Sequence, residues 1–105
     1  MKPLLILLLS FVAIINLYAH DFKIKDGFVS QMVTDEILDP TSLAFAPDGR
    51  IFISEKAGHI RIIENGNLIE DPFLTIEVDQ YGERGLSSII LDQEFESNGY
   101  IYIYY

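Results

Sequence analysis

The chain has 105 residues, a formal net charge of −9, 50% hydrophobic residues, and neither cysteine nor tryptophan. The negative charge disfavours nucleic acid and anionic membrane surfaces as partners, because both repel an acidic protein. The lack of cysteine excludes a disulfide framework and a thiolate metal site, and the high apolar content excludes a disordered acidic tail.

The first segment has the features of a secretory signal. Lys2 gives a positive start, residues 4–15 are almost wholly apolar, and Ala19 is a small residue at the exit. This order is typical of a signal peptide, and the apolar run is shorter than the roughly 20 residues that a membrane span needs. We predict a signal peptide over residues 1–19, cleaved after about Ala19, with no membrane span and a location in the periplasm or outside the cell.

The remaining sequence is typical of strands joined by tight turns. Short runs of β-branched and aromatic residues alternate with Gly, Pro, Asn and Asp. Asn65 and Gly66 form a strong hairpin signal, because both residue types tolerate a positive φ. The predicted strands cover residues 28–33, 42–46, 50–54, 59–64, 72–78, 85–91 and 100–105.

Two patterns favour a β-propeller within this all-β class. Residues 51–53 are all apolar rather than alternating, which predicts a strand covered on both faces. Residues 42–48 and 88–94 form a faint repeat, with an offset of 46 between Leu43 and Ile89. Propeller blades repeat at roughly 40–50 residues. The alternative is that two unrelated amphipathic hairpins look alike.

Size argues that this chain is one part of such a ring. Propellers close with roughly 4–8 blades, whereas residues 20–105 hold fewer than two repeats of this length. The β-prone residues 100–105 stand at the end of the sequence, where an unpaired aromatic strand is an aggregation hazard. We therefore expect a fragment or a truncated reading frame.

Two segments resemble the soluble PQQ-dependent sugar dehydrogenases of the glucose/sorbosone type. Residues 39–56 read D-P-T-S-L-A-F-A-P-D-G-R-I-F-I-S-E-K and look like that family's first blade. More specific are G-E-R-G-L at residues 82–86, D-Q-E-F at 92–95 and N-G-Y-I-Y at 98–102. The likeness covers about residues 28–105. The sequence departs from the family pattern where two serines replace Leu-Gly after this loop, and where Gln replaces Pro in the second motif.

The resemblance implies the opening one to two blades of a six-bladed β-propeller over residues 20–105. It also implies oxidation of a small-molecule sugar by hydride transfer to PQQ, with a calcium ion and a His general base. In the family, the catalytic His, the basic PQQ-binding residues and the calcium ligands lie further along than Tyr105. We therefore assign no catalytic, cofactor or metal residue in this chain, and expect it to be inactive and not to bind PQQ by itself.

The resemblance gives two candidate substrate-binding residues. Glu83 falls where some family members have a Gln and others a Glu that lines the sugar pocket. Arg84 beside it would set the local charge, and Gly82 and Gly85 would permit the backbone turn. The alternative is that Glu83 and Arg84 are a solvated loop pair, although loops at strand ends often carry function.

Other patterns have more ordinary interpretations. His20, as a new N-terminus, and His59 give too few nitrogen ligands for a copper site, so two exposed histidines are favoured. The carboxylates show no calcium-loop spacing, which favours a solvated acidic surface. Tyr100, Tyr102 and Tyr104 could form a sugar-stacking platform, but alternate positions on a strand favour blade packing.

The sequence leaves two other functions open. Related propellers without the catalytic His serve as recognition surfaces, so a secreted non-catalytic binding module is the main alternative. An unrelated secreted propeller is the second. The sequence that follows Tyr105 distinguishes them, because a His and a basic cluster on later blades would favour the enzyme.

Overall fold

The computed structural model describes residues 23–105, which divide between two compact units, Met1–Gln31 and Met32–Tyr105. The predicted signal peptide and His20 lie outside the described residues. Within residues 23–105, no helix has the length and apolar character needed to cross a membrane. In the first unit, the described residues are exposed and contain a turn, in which the Phe28 N–H donates to the Lys25 carbonyl at 3.1 Å.

The predicted strand over residues 28–33 is wrong. None of these residues pairs with another strand, and Phe28, Val29 and Met32 are 71%, 93% and 78% exposed. Strand propensity largely reflects packing on a half-buried surface. Without a neighbouring strand or a covering layer, an apolar run has no reason to become a strand.

The next five strands form one antiparallel sheet, here called sheet 1. Its strands are β1 (Pro40–Phe45), β2 (Ile51–Glu55), β3 (His59–Glu64), β4 (Asn67–Leu68) and β5 (Leu74–Thr75). The order is β1-β2-β3-β4, and β5 also pairs with β3. Three predicted strands are confirmed as β1, β2 and β3, β4 was not predicted, and the predicted strand over residues 72–78 shrinks to β5.

The turn between β3 and β4 confirms the strongest hairpin signal of the sequence. Asn65 has φ 51° and Gly66 has φ 78°. Both residues therefore occupy the left-handed region, which the turn of a two-residue hairpin requires. This turn fixes the register of β4 on β3, where Glu64 pairs with Asn67.

The last two strands form sheet 2. Its strands are β6 (Ser88–Leu91) and β7 (Ile101–Tyr104), which pair antiparallel. Both were predicted, with longer limits. A single helical turn, α1 (Phe95–Asn98), connects them and was not predicted; the Gly99 N–H ends it by donating to the Phe95 carbonyl at 2.8 Å.

The faint sequence repeat is also a structural repeat. The β1–β2 hairpin and the β6–β7 hairpin have the same cross-strand register, with an offset of 46 on the first strand and 50 on the second. The connection is four residues longer in the second hairpin and holds α1. Equivalent pairs are Leu43–Ile53 and Ile89–Ile103, Ala44–Phe52 and Ile90–Tyr102, and Phe45–Ile51 and Leu91–Ile101.

The hydrophobic core lies between the two sheets. Phe52 on β2 is 1% exposed and makes edge-to-face contacts with Phe73 and Phe95, with ring centroids 5.5 and 5.8 Å apart. Each large side chain buried here stabilises the fold by about 1.5–3 kcal/mol. The buried cluster comprises Ala46, Phe52, Ile60, Ile62, Leu86, Ile89 and Phe95.

The prediction that β2 is covered on both faces is confirmed at its centre. Phe52 points into the core, whereas Ile53 lies on the opposite side of the sheet and is only 8% exposed. On this opposite side, Arg61 and Glu55 form an ion pair at 3.5 Å. Glu55 Oε1 also accepts a hydrogen bond from the Leu38 N–H at 2.8 Å, so the segment before β1 is tied to the sheet.

Candidate functional site

The loop that leads into β6 is fastened to the turn after β2. The Leu86 N–H donates to the Lys56 carbonyl at 3.1 Å, and Lys56 Nζ donates to the Gly82 carbonyl at 2.5 Å. Gly85 has φ 128°, and a Cβ on it would stand 2.5 Å from the Lys56 carbonyl oxygen. Only glycine fits this close approach without displacing backbone, so the second glycine of the G-E-R-G-L motif has a steric reason here.

A pair of hydroxyl groups, one on the exposed Thr41 and one on the buried Ser54, supports the base of this loop. Thr41 Oγ1 donates to the Leu86 carbonyl at 2.8 Å and lies 2.8 Å from Ser54 Oγ. Ser54 Oγ in turn lies 3.2 Å from the Ser42 carbonyl oxygen, and Ser54 is fully buried. Each such bond contributes about 0.5–1.5 kcal/mol. The loop is therefore positioned by β1 and β2 together.

The Arg84 guanidinium is held by its own loop. Arg84 Nη1 lies 2.5 Å from Asp79 Oδ2, and Nε donates to the Tyr81 carbonyl at 3.3 Å. The guanidinium also stacks 5.5 Å from the centre of the Tyr81 ring. Because the ion pair is exposed to solvent, it contributes little to stability. These contacts join Arg84 to Asp79 and Tyr81 within the loop that carries Glu83.

Glu83 lies in this loop with its side chain accessible. Across residues 23–105, no hydrogen bond or ion pair engages the Glu83 carboxylate. It borders a cavity of about 270 Å³ at the end of sheet 1. The structure thus brings Glu83 and Arg84, the two predicted substrate-binding residues, to one cavity, which is lined by Thr41, Lys56, Gly82, Glu83, Arg84, Gly85, Leu86 and Ser87.

The other residues considered from the sequence lie elsewhere. His59 opens β3, and its Nδ1 is 3.0 Å from Thr75 Oγ1, so it bridges β3 and β5. Tyr102 and Tyr104 are 51% and 72% exposed on the side of sheet 2 away from the core, while Ile101 and Ile103 pack against the core. Among the described residues, neither tyrosine therefore lines the cavity beside Glu83.

Sequence reasoning missed a polar centre at Asp92. Its carboxylate accepts hydrogen bonds from the Tyr102 hydroxyl at 2.7 Å, the Asn98 amide at 2.9 Å and the Glu94 N–H at 2.8 Å. The bond from Tyr102, followed by those from Asn98 and Glu94, holds the pKa of Asp92 below its usual value. The same bond raises the pKa of Tyr102. The family motif marked the position of Asp92, but only the fold shows that it joins both ends of the β6–β7 connection.

The described residues do not fit the calcium ion implied by the family resemblance. Calcium takes six to eight oxygen ligands, whereas the cavity has a single uncommitted carboxylate, on Glu83. The nearby Asp79 is paired with Arg84. In residues 23–105, no group of three or more His, Cys, Asp and Glu side chains is placed to hold a metal ion. We assign no reaction step to calcium or PQQ here.

The stacked antiparallel sheets and their repeated register define this structure as part of a β-propeller. The family model described as Glucose / Sorbosone dehydrogenase matches residues 37–105. The chain belongs to the glucose/sorbosone dehydrogenase family, as the resemblance predicted.

Known proteins similar to this chain include one described as a putative oxidoreductase and the Hedgehog-interacting proteins of two mammals. A crystal structure from Thermus thermophilus, described as a putative oxidoreductase (glucose dehydrogenase), is 34% identical with a TM-score of 0.65, covering 70% of this chain and 22% of that one. Hedgehog-interacting protein from Mus musculus is 34% identical over 84 residues, and that from Homo sapiens is 32% identical over 87 residues. These alignments cover 71% and 74% of this chain but only 12% of either relative.

Proposed function

We propose that this chain is the opening part of a PQQ-dependent aldose dehydrogenase, and that its Glu83 loop binds the sugar. The carrying observation is the family match over residues 37–105, together with an accessible carboxylate in a braced loop beside a cavity. With the predicted signal peptide over residues 1–19, the proposed location is the periplasm or the cell exterior.

The proposed role of Glu83 is to accept hydrogen bonds from sugar hydroxyl groups. Hydrogen bonds to a carboxylate are roughly twice as strong as those between neutral groups. The hydrogen bonds of the loop to Lys56 and Thr41 hold it in place, so less conformational entropy is lost when a sugar binds. Arg84 itself offers its remaining N–H groups to the same cavity.

The proposed chemistry is oxidation of the sugar at a carbon that carries a hydroxyl. A hydride leaves that carbon and the hydroxyl proton passes to a base, which gives the carbonyl product. We assign binding rather than hydride or proton transfer to residues 23–105. We propose that PQQ, calcium and a His base belong to other parts of the protein.

The test of sugar binding is an NMR titration of the ¹⁵N-labelled chain with glucose and other aldoses. We expect chemical-shift changes at the amides of residues 82–87. Glu83→Ala should weaken binding by roughly tenfold, because it removes a charge-assisted hydrogen bond. Glu70→Ala, at an exposed carboxylate in the β4–β5 connection, is the matched control and should bind normally. Chemical-shift changes that are absent from residues 82–87, or equal sugar affinities of the two variants, would contradict the proposal.

The test of catalysis is dye-linked aldose oxidation by the chain with added PQQ and calcium. We expect no turnover above background, because the described residues include no cofactor-binding cluster. Sustained turnover would show that the assignment of the catalytic groups to other parts of the protein is wrong.

A non-catalytic binding module is the second candidate, favoured by the similarity to Hedgehog-interacting protein. In that case the chain would contribute a protein-recognition surface. Biolayer interferometry with an immobilised Hedgehog protein tests this candidate. Saturable binding, combined with no NMR response to aldoses, would favour the module over the enzyme.

A further inference from the structure

Glu83 lies at the centre of a tight turn. The turn spans residues 81–84 and is closed by the Arg84 N–H, which donates to the Tyr81 carbonyl at 3.2 Å. Gly82 and Glu83 are its two central residues, and Gly82 has φ 62°. The hydrogen bond of such a turn joins the outer residues, and the peptide group between the two central residues takes no part in it. The orientation of that central peptide therefore needs another support.

Glycine makes the central peptide easy to rotate. Gly82 has no Cβ, so positive and negative values of φ are about equally accessible to it. A Cβ added at Gly82 would meet no atom within 4 Å, so the surrounding residues do not restrict it either. Rotation of the Gly82–Glu83 peptide would change φ of Glu83, and with it the direction of the carboxylate. The placement of Glu83 thus depends on what holds the Gly82 carbonyl.

The side chain of Lys56 holds this carbonyl. Lys56 Nζ donates to the Gly82 carbonyl at 2.5 Å. The aliphatic part of the side chain passes close over Gly85, where an added Cβ would stand 2.9 Å from Lys56 Cγ. Lys56 is half-buried along this course. One lysine side chain therefore crosses the loop from its end to its start.

The backbone of Lys56 is anchored independently of its ammonium group. Its N–H donates to the Asp39 carbonyl at 3.0 Å, and its carbonyl accepts from the Leu86 N–H at 3.1 Å. Both bonds remain whatever side chain stands at position 56. Removal of the ammonium group should thus release the start of the loop, at Gly82 and Glu83, and leave its end at Leu86 in place.

We propose that Lys56 is a positioning residue for Glu83. Its ammonium group selects one orientation of the Gly82–Glu83 peptide, so that Glu83 borders the cavity before a sugar binds. A group that is already held in its binding direction loses less conformational entropy on binding. The effect on sugar affinity rests on the function proposed above, whereas the ordering of the turn is a property of the sugar-free chain.

Direct contact with the sugar is the alternative role for Lys56, because this residue also lines the cavity. The two roles have different consequences. A direct contact would change the sugar affinity and leave the turn unchanged in the sugar-free chain. A positioning role requires that the turn of the sugar-free chain loses order when the ammonium group is removed.

Heteronuclear ¹⁵N NOE measurements on the sugar-free chain test the positioning role. Lys56→Met removes the ammonium group and keeps an unbranched apolar side chain. The NOE values at Glu83 and Arg84 should fall, whereas the value at Leu86 should stay as in the wild type. Lys56→Arg keeps a cation that can donate to the same carbonyl, so it should restore the values. Lys25→Met, which removes one charge from an exposed lysine, is the matched control and should resemble the wild type.

Titration of the same variants with glucose measures the consequence for binding. Lys56→Met should raise the Kd roughly three- to tenfold, because the freed turn must be ordered when the sugar binds. Lys56→Arg should recover most of the wild-type affinity, and Lys25→Met should bind like the wild type.

Three results would overturn the proposal. The first is a turn that stays as ordered in Lys56→Met as in the wild type; weaker sugar binding by that variant would then indicate direct contact. The second is a loss of order at Leu86 together with Glu83, which would indicate general loosening of the loop. The third is a Lys56→Arg turn as disordered as that of Lys56→Met. If the wild-type chain binds no aldose, the function proposed above fails, while the NOE values still decide whether Lys56 orders the turn.

Discussion

The β1–β2 hairpin and the β6–β7 hairpin share one pairing pattern but differ in burial. Phe52 on β2 is 1% exposed, whereas Tyr102, at the equivalent position on β7, is 51% exposed. Sheet 2 covers the side that carries Phe52, and β3 extends the sheet beside β2. Pairing is therefore set by local sequence and turns, while burial is set by the layers that pack on the hairpin.

Truncation of the two equivalent aromatic residues should show the largest difference between the hairpins. Phe52→Ala should lower the free energy of unfolding by about 3–5 kcal/mol, because it removes a buried ring that contacts two others. Tyr102→Ala should cause a much smaller decrease, since its ring is half exposed. Urea denaturation followed by circular dichroism measures both. Similar losses would show that Tyr102 is buried in solution.

An added methyl group at the junction of the two sheets should have the next largest effect. Gly85→Ala should destabilise the fold by roughly 1–3 kcal/mol, because it combines an unfavourable φ of 128° with a clash against the Lys56 carbonyl. Gly82→Ala is the control. Its φ is 62° and no atom lies within 4 Å of the added Cβ, so about 1 kcal/mol is expected. Thermal denaturation should rank the two variants in this order.

Removal of one hydroxyl from the second hairpin should have the smallest effect and appear as a change in pH dependence. Tyr102→Phe should raise the pKa of Asp92 towards its ordinary value of 3.8. In the wild-type chain that pKa is lowered, so the Asp92 contribution to stability is present above the unfolded pKa and is lost as pH falls through the folded pKa. The variant should therefore lose less stability in acid.

The Tyr102 hydroxyl contributes to stability with the opposite dependence on pH. Its pKa is raised in the fold, so its contribution is present below the ordinary value of 10.0 and is lost as pH rises through the folded pKa. Carbon-13 NMR titration of the carboxyl groups measures the change at Asp92 directly. Tyr104→Phe is the control and should leave the Asp92 titration unchanged. A shift in both variants would mean that Asp92 responds to general disturbance of β7.

Much of the fold could be predicted because pairing leaves a clear local signal. β3 was predicted with its observed limits, since an apolar run lies between two turns and is followed by Asn65 and Gly66. Residues 28–33 have similar composition but no partner strand, and sequence composition does not show whether a partner exists. β4 and α1 span two and four residues, which is too short for a periodic pattern.

The candidate site could be predicted only in part from the sequence. The family resemblance selected Glu83 and Arg84, and the fold places both at one cavity. The support for that cavity was not visible, because Thr41 and Leu86 are 45 positions apart and meet only after the sheets have packed. The pairing of Arg84 with Asp79 also depends on the three-dimensional course of the loop. Sugar binding by either residue remains a prediction.

The unequal connections of the two hairpins show where this architecture tolerates change in length. Four additional residues enter between β6 and β7, yet each facing pair keeps its partner. The Asp92 carboxylate accepts hydrogen bonds from the Tyr102 hydroxyl on β7, the Asn98 amide on α1 and the Glu94 N–H, at the base of the insertion. These bonds hold the longer connection in place, so added residues at a hairpin tip leave the pairing of the two strands unchanged.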